Sequence, residues 1–168
     1  MAGELVVFSH GLDGEPRGTK IVALARVAEA RGLRIESVDY RGMEAPARVE
    51  KLIGFAKALS QPLILVGSSL GGHVAATASV HVPTRGLFLM APAFFMPGFE
   101  QYTPTPAACP IEIVHGWNDD VVPAQNSIRF AQQYRSTLHL IDSDHRLTAN
   151  LDEVCELFDL FLKRIGNG

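Results

Sequence analysis

The sequence holds 168 residues, 47% hydrophobic and 20% charged, and its 15 Lys and Arg against 18 Asp and Glu leave a net charge of −3. A disordered chain needs low hydrophobicity and high net charge, so that class is excluded, and mild acidity offers no basic footprint for nucleic acid or an anionic membrane. The length suits one domain over residues 1–168, and a chain of this size buries roughly 70% of its unfolded surface without disulfide or metal support. Cys109 and Cys155 are too few for a disulfide framework and lack metal-ligand spacing, so they read as reduced thiols. The opening Met-Ala-Gly-Glu-Leu-Val-Val-Phe has no basic leader region, and no window approaches the ~18 apolar residues of a membrane span. A soluble, cytoplasmic protein is expected.

In chain order, Leu5–Phe8 is a short apolar run of the kind that forms a strand buried on both faces. Ile21, Leu24, Ala25 and Ala28 then repeat at helical spacing, with Gly32 as a stop. Ile35–Tyr40 is β-rich and predicts a further strand. Val49, Leu52, Ile53, Ala56 and Leu59 mark a second helix, with Pro46 suited to its start. The run Leu63–Val66 leads into a helix beginning near Leu70. Leu87–Ala91 is the next strand, followed by Ala93–Pro110, an irregular stretch rich in Pro and aromatics and long enough to pass over a site. Ile111–Val114, a polar surface helix over Ala124–Arg135, and Leu138–Ile141 come next. The chain closes on the most regular stripe, Leu151, Val154, Leu157, Phe158, Phe161, Leu162 and Ile165, for which Asn150 and Glu153 would form a capping box. Strand–helix alternation throughout predicts an α/β fold, a single doubly wound, mostly parallel sheet of about six strands. Ligands of such sheets sit beyond the carboxyl ends of the strands, so the residues following each run carry the chemistry.

After Leu63–Val66 comes Gly67-Ser68-Ser69-Leu70-Gly71-Gly72. This fits Gly-x-Ser-x-Gly between a strand and a helix, the context in which that pattern presents a nucleophilic serine on a sharp turn. Ser69 is the candidate, because Ser68 lacks glycine two residues away on both sides; an ordinary Gly/Ser turn is the competing reading. A serine hydroxyl needs a base. His145, in Asp142-Ser143-Asp144-His145, follows the last strand and can overhang the sheet edge. His10 and His115 also follow strands, but each precedes a glycine at a tight turn and reads better as a histidine bonded to loop backbone. His73 reads as a packing residue, and His81 and His139 fall inside predicted elements. The base needs a carboxylate to orient it. His115-Gly116-Trp117-Asn118-Asp119-Asp120 supplies Asp119, with Asp120 as the other choice. Donors for a developing oxyanion would be the amide of Leu70 and one from the first loop, Ser9-His10-Gly11-Leu12-Asp13-Gly14, where Leu12 is the preferred donor. Phe94, Phe95 and Met96, with Pro97, Phe99 and Tyr102, could line an apolar acyl pocket; aromatics that merely cover a sheet edge are the competing reading. Arg17 and Lys20 read as a solvated helix start.

With these residues in place, the chain resembles the α/β-hydrolase family, in particular its small uncapped bacterial esterase-like members. The resemblance runs through Phe8-Ser9-His10-Gly11, Gly67-Ser68-Ser69-Leu70-Gly71, His115-Gly116-Trp117-Asn118-Asp119 with Val121-Val122-Pro123, and Asp144-His145-Arg146-Leu147. It implies Ser69 as nucleophile, His145 as base, Asp119 as acid, and Leu12 and Leu70 as oxyanion donors, in the chain order Ser…Asp…His. The first strand already carries the His-Gly turn, so the two leading strands and the helical cap of larger members are not expected. The expected activity is cleavage of a small or medium carboxylic ester, or of a thioester or amide, with a small-molecule acyl substrate and no metal or organic cofactor. A non-catalytic binding protein on the same scaffold is the alternative. Nucleotide binding is disfavoured, because Gly67–Gly72 lacks Gly-x-Gly-x-x-Gly and has no following Lys.

Overall fold

The structure, a computed structural model, describes residues 3–166. Six strands, β1 (Leu5–Ser9), β2 (Arg34–Val38), β3 (Leu63–Ser68), β4 (Thr84–Met90), β5 (Ile111–Gly116) and β6 (Thr137–Ile141), form one sheet. Its order is β2-β1-β3-β4-β5-β6, and every neighbouring pair is parallel. Five helices connect or follow them: α1 (Thr19–Ala30), α2 (Ala45–Lys57), α3 (Leu70–Ala78), α4 (Ala124–Tyr134) and α5 (Leu151–Gly166).

Side chains alternate across a strand, so near-continuous apolar runs supply both faces of the sheet. Leu5, Val7, Leu63, Leu65, Leu87 and Leu89 pack with Leu52 of α2, Val74 and Ala75 of α3 and Phe130 of α4. Their strand neighbours Val6, Phe8, Ile64, Val66, Phe88 and Met90 pack with Leu24 and Ala28 of α1 and Phe158 and Phe161 of α5. The result is three layers, with helices on both faces as the alternation predicts. Among the described residues no helix is long and apolar enough to cross a membrane.

Local signals explain most boundaries. Gly32, at φ +76°, ends α1 through Gly32 N–H to Glu29 O (2.9 Å) and Leu33 N–H to Ala28 O (3.1 Å), the paired bonds of a left-handed helix terminus. The strand predicted over Ile35–Tyr40 ends at Val38, because the Tyr40 N–H leaves the ladder and donates to His10 Nε2 (2.9 Å). The capping box predicted from Asn150 and Glu153 is replaced by a side-chain contact of 3.4 Å. The short 3₁₀ turn Thr148–Asn150 runs straight into α5, so Asn150 already lies within a helical turn instead of preceding one.

The chain leaves β1 toward β2 on one side and returns to β3 on the other. The carboxyl ends of β1 and β3 therefore flank the point where the winding reverses, the place where open α/β sheets form a crevice. The loop after β1 and the turn after β3 meet there.

Candidate active site

Ser69 links β3 to α3 at φ 54° and ψ −117°, a backbone conformation that side chains rarely adopt. The surroundings over-determine it. Ser69 N–H donates to Met90 O of β4 (2.9 Å), and Ser69 O accepts from Gly72 (3.0 Å) and from Ala93 (3.0 Å). The flanking glycines are required by contact. A Cβ on Gly67 would overlap the Gly71 carbonyl, and a Cβ on Gly71 would overlap the Ser9 carbonyl of β1. The turn is thereby pressed onto the end of β1, with the serine hydroxyl at the sheet rim.

His145 sits on the loop after β6 and Asp119 on the loop after β5. His145 Nδ1 lies 2.8 Å from Asp119 Oδ2, and His145 Nε2 lies 3.1 Å from Ser69 Oγ. With Nδ1–H donated to the carboxylate, Nε2 is left as the acceptor for the Ser69 hydroxyl. The two loops are stitched by backbone bonds, Trp117 N–H to Ile141 O (2.9 Å) and Asn118 N–H to Ser143 O (3.0 Å), and a Cβ on Gly116 would overlap the Ser143 carbonyl. Asp144 Oδ1 accepts the amides of Arg146 (3.0 Å) and Leu147 (3.2 Å), shaping the turn that presents His145.

The Asp119 carboxylate is fully buried and fully engaged. Its Oδ1 accepts the amides of Val121 and Val122 (2.8 Å each), and its Oδ2 accepts from His145 and faces His115 Nε2 at 3.1 Å. Burial pushes its pKa up, but the bonds from His145, Val122 and Val121 outweigh this and hold it below the ordinary carboxylate value. Asp120 is exposed, which separates the two carboxylates that the sequence left open. His115 is completely buried. It takes the Ser127 hydroxyl at Nδ1 (2.7 Å) and donates Nε2–H to Val122 O (2.8 Å), and burial lowers its pKa. The expected backbone contact is present, and His115 also touches the carboxylate that holds His145.

The loop after β1 is equally constrained. His10 donates Nδ1–H to Gly11 O (2.8 Å) and accepts the Tyr40 amide at Nε2, and burial lowers its pKa. The Leu12 side chain is exposed, but its amide, like that of Leu70, donates to no protein acceptor among the described residues. Gly11 lies against the serine turn, where a Cβ would stand 3.5 Å from Ser68 O and 3.6 Å from Ser69 Cβ.

The stretch Ala93–Pro110 is tied to its own flank. Asn126 of α4 donates to Phe94 O (2.8 Å), Thr103 Oγ1 accepts the Phe95 amide (2.8 Å), and the Ala107 amide donates to Ser79 Oγ (2.9 Å). Phe94 corrects the sequence reading. It is fully buried and stacks on Phe130 with ring centroids 4.0 Å apart, so it belongs to the core and cannot face a substrate. Phe95 is half-buried under the Arg129 guanidinium, 3.8 Å from its ring, and Met96 is also half-buried.

Lys20, read as solvated, is part-buried at the start of α1, and burial lowers its pKa against the opposing pull of Asp144 and Asp119. One residue escaped the sequence reading. Arg48 of α2 is 1% exposed, and it donates to the carbonyls of Met43, His10, Gly11 and Leu12. The single available signal was its position next to Val49 and Leu52 at the inner edge of a helical stripe.

Comparison with known proteins places the fold and the family. A model of the α/β hydrolase family matches residues 6–164. The mitochondrial palmitoyl-protein thioesterase ABHD10 of Bos taurus is 23% identical over 88% of this chain and 68% of its own length. Among solved structures, an α/β-superfamily protein from Xanthomonas campestris pv. campestris superposes with a TM-score of 0.88 at 35% identity, covering 96% of this chain and 99% of that one. Est1E from Butyrivibrio proteoclasticus, solved with ferulic acid bound, shares the fold with a TM-score of 0.85 at 19% identity, covering 98% and 90% of the two chains. The family match over nearly the whole length, joined to a six-stranded parallel sheet with no cap domain, makes this chain a member of the α/β hydrolase family.

Proposed function

We propose that the protein is a serine hydrolase acting on a small or medium carboxylic ester or thioester through an acyl-enzyme on Ser69. The observation that carries this reading is the connected line Ser69 Oγ, His145 and Asp119, at 3.1 and 2.8 Å, on three separate loops. Ser69 Oγ forms a bond to the carbonyl carbon as His145 Nε2 takes its proton, and the carbonyl π electrons move onto oxygen. Asp119, held ionised, stabilises the imidazolium. The unpartnered amides of Leu12 and Leu70 receive the oxyanion. Collapse breaks the bond to the leaving group, which takes the proton from His145. Water, deprotonated by the same imidazole, then releases the acid.

With Phe94 assigned to the core, Phe95 and Met96, and beyond them Phe99 and Tyr102, are the residues of the stretch Ala93–Pro110 left to meet the acyl group. The thioester arm is favoured by the relationship to ABHD10, which is a thioesterase by name. A scaffold that binds without turnover has no need of a buried carboxylate, an oriented imidazole and a strained serine together.

The test is fluorophosphonate labelling beside a panel of 4-nitrophenyl esters and acyl thioesters of increasing chain length. Labelling of the purified protein, lost in Ser69→Ala together with a drop in turnover of roughly 10⁴-fold or more, is the expected result. A protein that neither labels nor turns over any member of the panel has the binding role instead.

A further inference from the structure

A fully buried arginine normally faces a carboxylate, because the cost of removing a full charge from water is otherwise uncompensated. Arg48 faces none within ion-pair distance among the described residues. Its guanidinium is spent on backbone carbonyls: Nε–H to Met43 O (2.8 Å), Nη1 to His10 O (3.1 Å) and Gly11 O (3.3 Å), and Nη2 to Leu12 O (3.4 Å). The Tyr40 ring lies alongside, 5.5 Å from the guanidinium carbon.

Three consecutive carbonyls of the loop after β1 are therefore drawn toward one cation. The carbonyl of Gly11 and the amide of Leu12 belong to the same peptide unit. All peptide bonds of the described chain are trans, so these two groups point in opposite directions. Gly11 O accepts from Arg48, from His10 Nδ1–H (2.8 Å) and from the Gly14 amide (3.2 Å). With the oxygen end fixed by three donors, the N–H end of the same peptide is fixed as well, and Gly11 itself lies against the serine turn, where a Cβ would stand 3.6 Å from Ser69 Cβ. Rotating this peptide plane would break all three bonds at once.

We propose that Arg48 is a positioning residue for acyl transfer, which aims the Leu12 amide at the developing oxyanion and sets a buried positive charge, with no carboxylate in direct contact, behind the peptides that receive it. The assignment rests on the serine-hydrolase reading above. The cation lies behind the carbonyl ends of these dipoles and polarises each peptide so that its N–H becomes more positive. A charge in a dry, fixed position acts on a transition-state anion far more strongly than one in water, and it requires no reorganisation during the reaction. Because the ground-state carbonyl carries little charge, the effect falls on kcat and spares KM.

The test compares wild type, Arg48→Met and Arg48→Lys. Hydrolysis of 4-nitrophenyl butyrate is normalised to the concentration of sites titrated by fluorophosphonate, and affinity is measured for a trifluoromethyl ketone, which forms a tetrahedral oxyanion on the serine. Removing one oxyanion donor costs about 10²–10³ in kcat, and a residue that only aims the donor costs less. The expected loss in R48M is about 10- to 100-fold in kcat per titrated site, with KM within about threefold and an equal loss of ketone affinity. R48K, which keeps the cation, recovers most of both. Wild-type kcat and ketone affinity in folded R48M would overturn the assignment, as would a rise in KM alone or a lower kcat that ketone affinity does not follow. If circular dichroism shows that neither variant folds, Arg48 serves the fold and the assignment falls. A wild-type protein that neither labels nor hydrolyses the ester sinks the serine-hydrolase reading itself, an outcome separate from an active R48M.

Discussion

Both ends of the sheet carry a buried carboxylate bonded to a histidine, and only at one of them does the imidazole also reach a serine hydroxyl. At the carboxyl edge, Asp119 meets His145 at 2.8 Å; at the opposite edge, Glu112 meets His139 Nε2 at 2.6 Å. The difference lies in the remaining groups. Glu112 gives its second oxygen to the Arg164 guanidinium, so its charge is already neutralised by a permanent cation. Asp119 gives its second oxygen to two neutral backbone amides, and its negative charge stays available for an imidazolium. His145 has its far nitrogen on a serine hydroxyl, whereas the His139 ring, on β6, bonds Glu112 and touches no serine or cysteine side chain among the described residues. A carboxylate–imidazole pair is therefore no sign of catalysis until its other two neighbours are known.

The comparison can be broken at either edge. Asp119→Asn should lower ester turnover by about 10⁴-fold, as orienting carboxylates do elsewhere, since the amide favours the wrong imidazole tautomer. Glu112→Gln should leave turnover per titrated site within about twofold. It should instead lower stability by about 1–3 kcal/mol, the range for charged hydrogen bonds, or roughly 2–12 °C in Tm. Thermal melts beside ester assays of the two variants decide the matter, and a large loss of turnover in Glu112→Gln would erase the distinction drawn here.

A gentler test uses pH. Turnover should fall on acidification, because imidazolium cannot accept the serine proton, and a rate that does not change with pH would remove His145 as the base. Stability should respond separately. Burial depresses the pKa of His10, His73 and His115 in the folded protein below the ordinary value of 6.5. Below 6.5 the unfolded chain binds protons that the folded one refuses, so these groups contribute full stability above that pH. The contribution is lost as pH falls toward the folded values. Urea melts from pH 7.5 to 5 should show midpoints declining with acidity, and constant midpoints would contradict the buried neutral state of these rings. The smallest effect is expected for His115→Gln, which removes the imidazole from Asp119 Oδ2 and shifts the acid limb of the rate profile with little change in maximal rate.

Sequence and structure agree where function demands a local pattern. The serine turn needs small residues on both sides because its backbone is pressed against β1, and that requirement is written in consecutive letters, Gly67 to Gly71. The runs of β1, β3 and β4 are legible because strands covered on both faces leave few polar positions. Arg48 and Lys20 were illegible for the opposite reason. On a helix, Arg and Lys read as solvated unless something folds over them, and what covers Arg48 is a loop 36–38 residues earlier in the chain. Phe94 was misplaced because a run of aromatics gives no sign of which ring turns inward; here its partner Phe130 lies on a helix whose mixed sequence looked like plain surface. Asp119 and Asp120 are adjacent and alike, and only the turn that buries one of them tells them apart.

The backbone stitches between the loops after β5 and β6 carry a consequence for how the molecule works in time. With Trp117 and Asn118 bonded to Ile141 and Ser143, and the imidazole seated between Asp119 and Ser69, these three side chains already stand in register. On the proposed mechanism, these two loops have no closing step to make. Raising the solvent viscosity with sucrose should leave the rate of a slow ester unchanged, and a crystal soaked in a chromogenic one should colour without cracking.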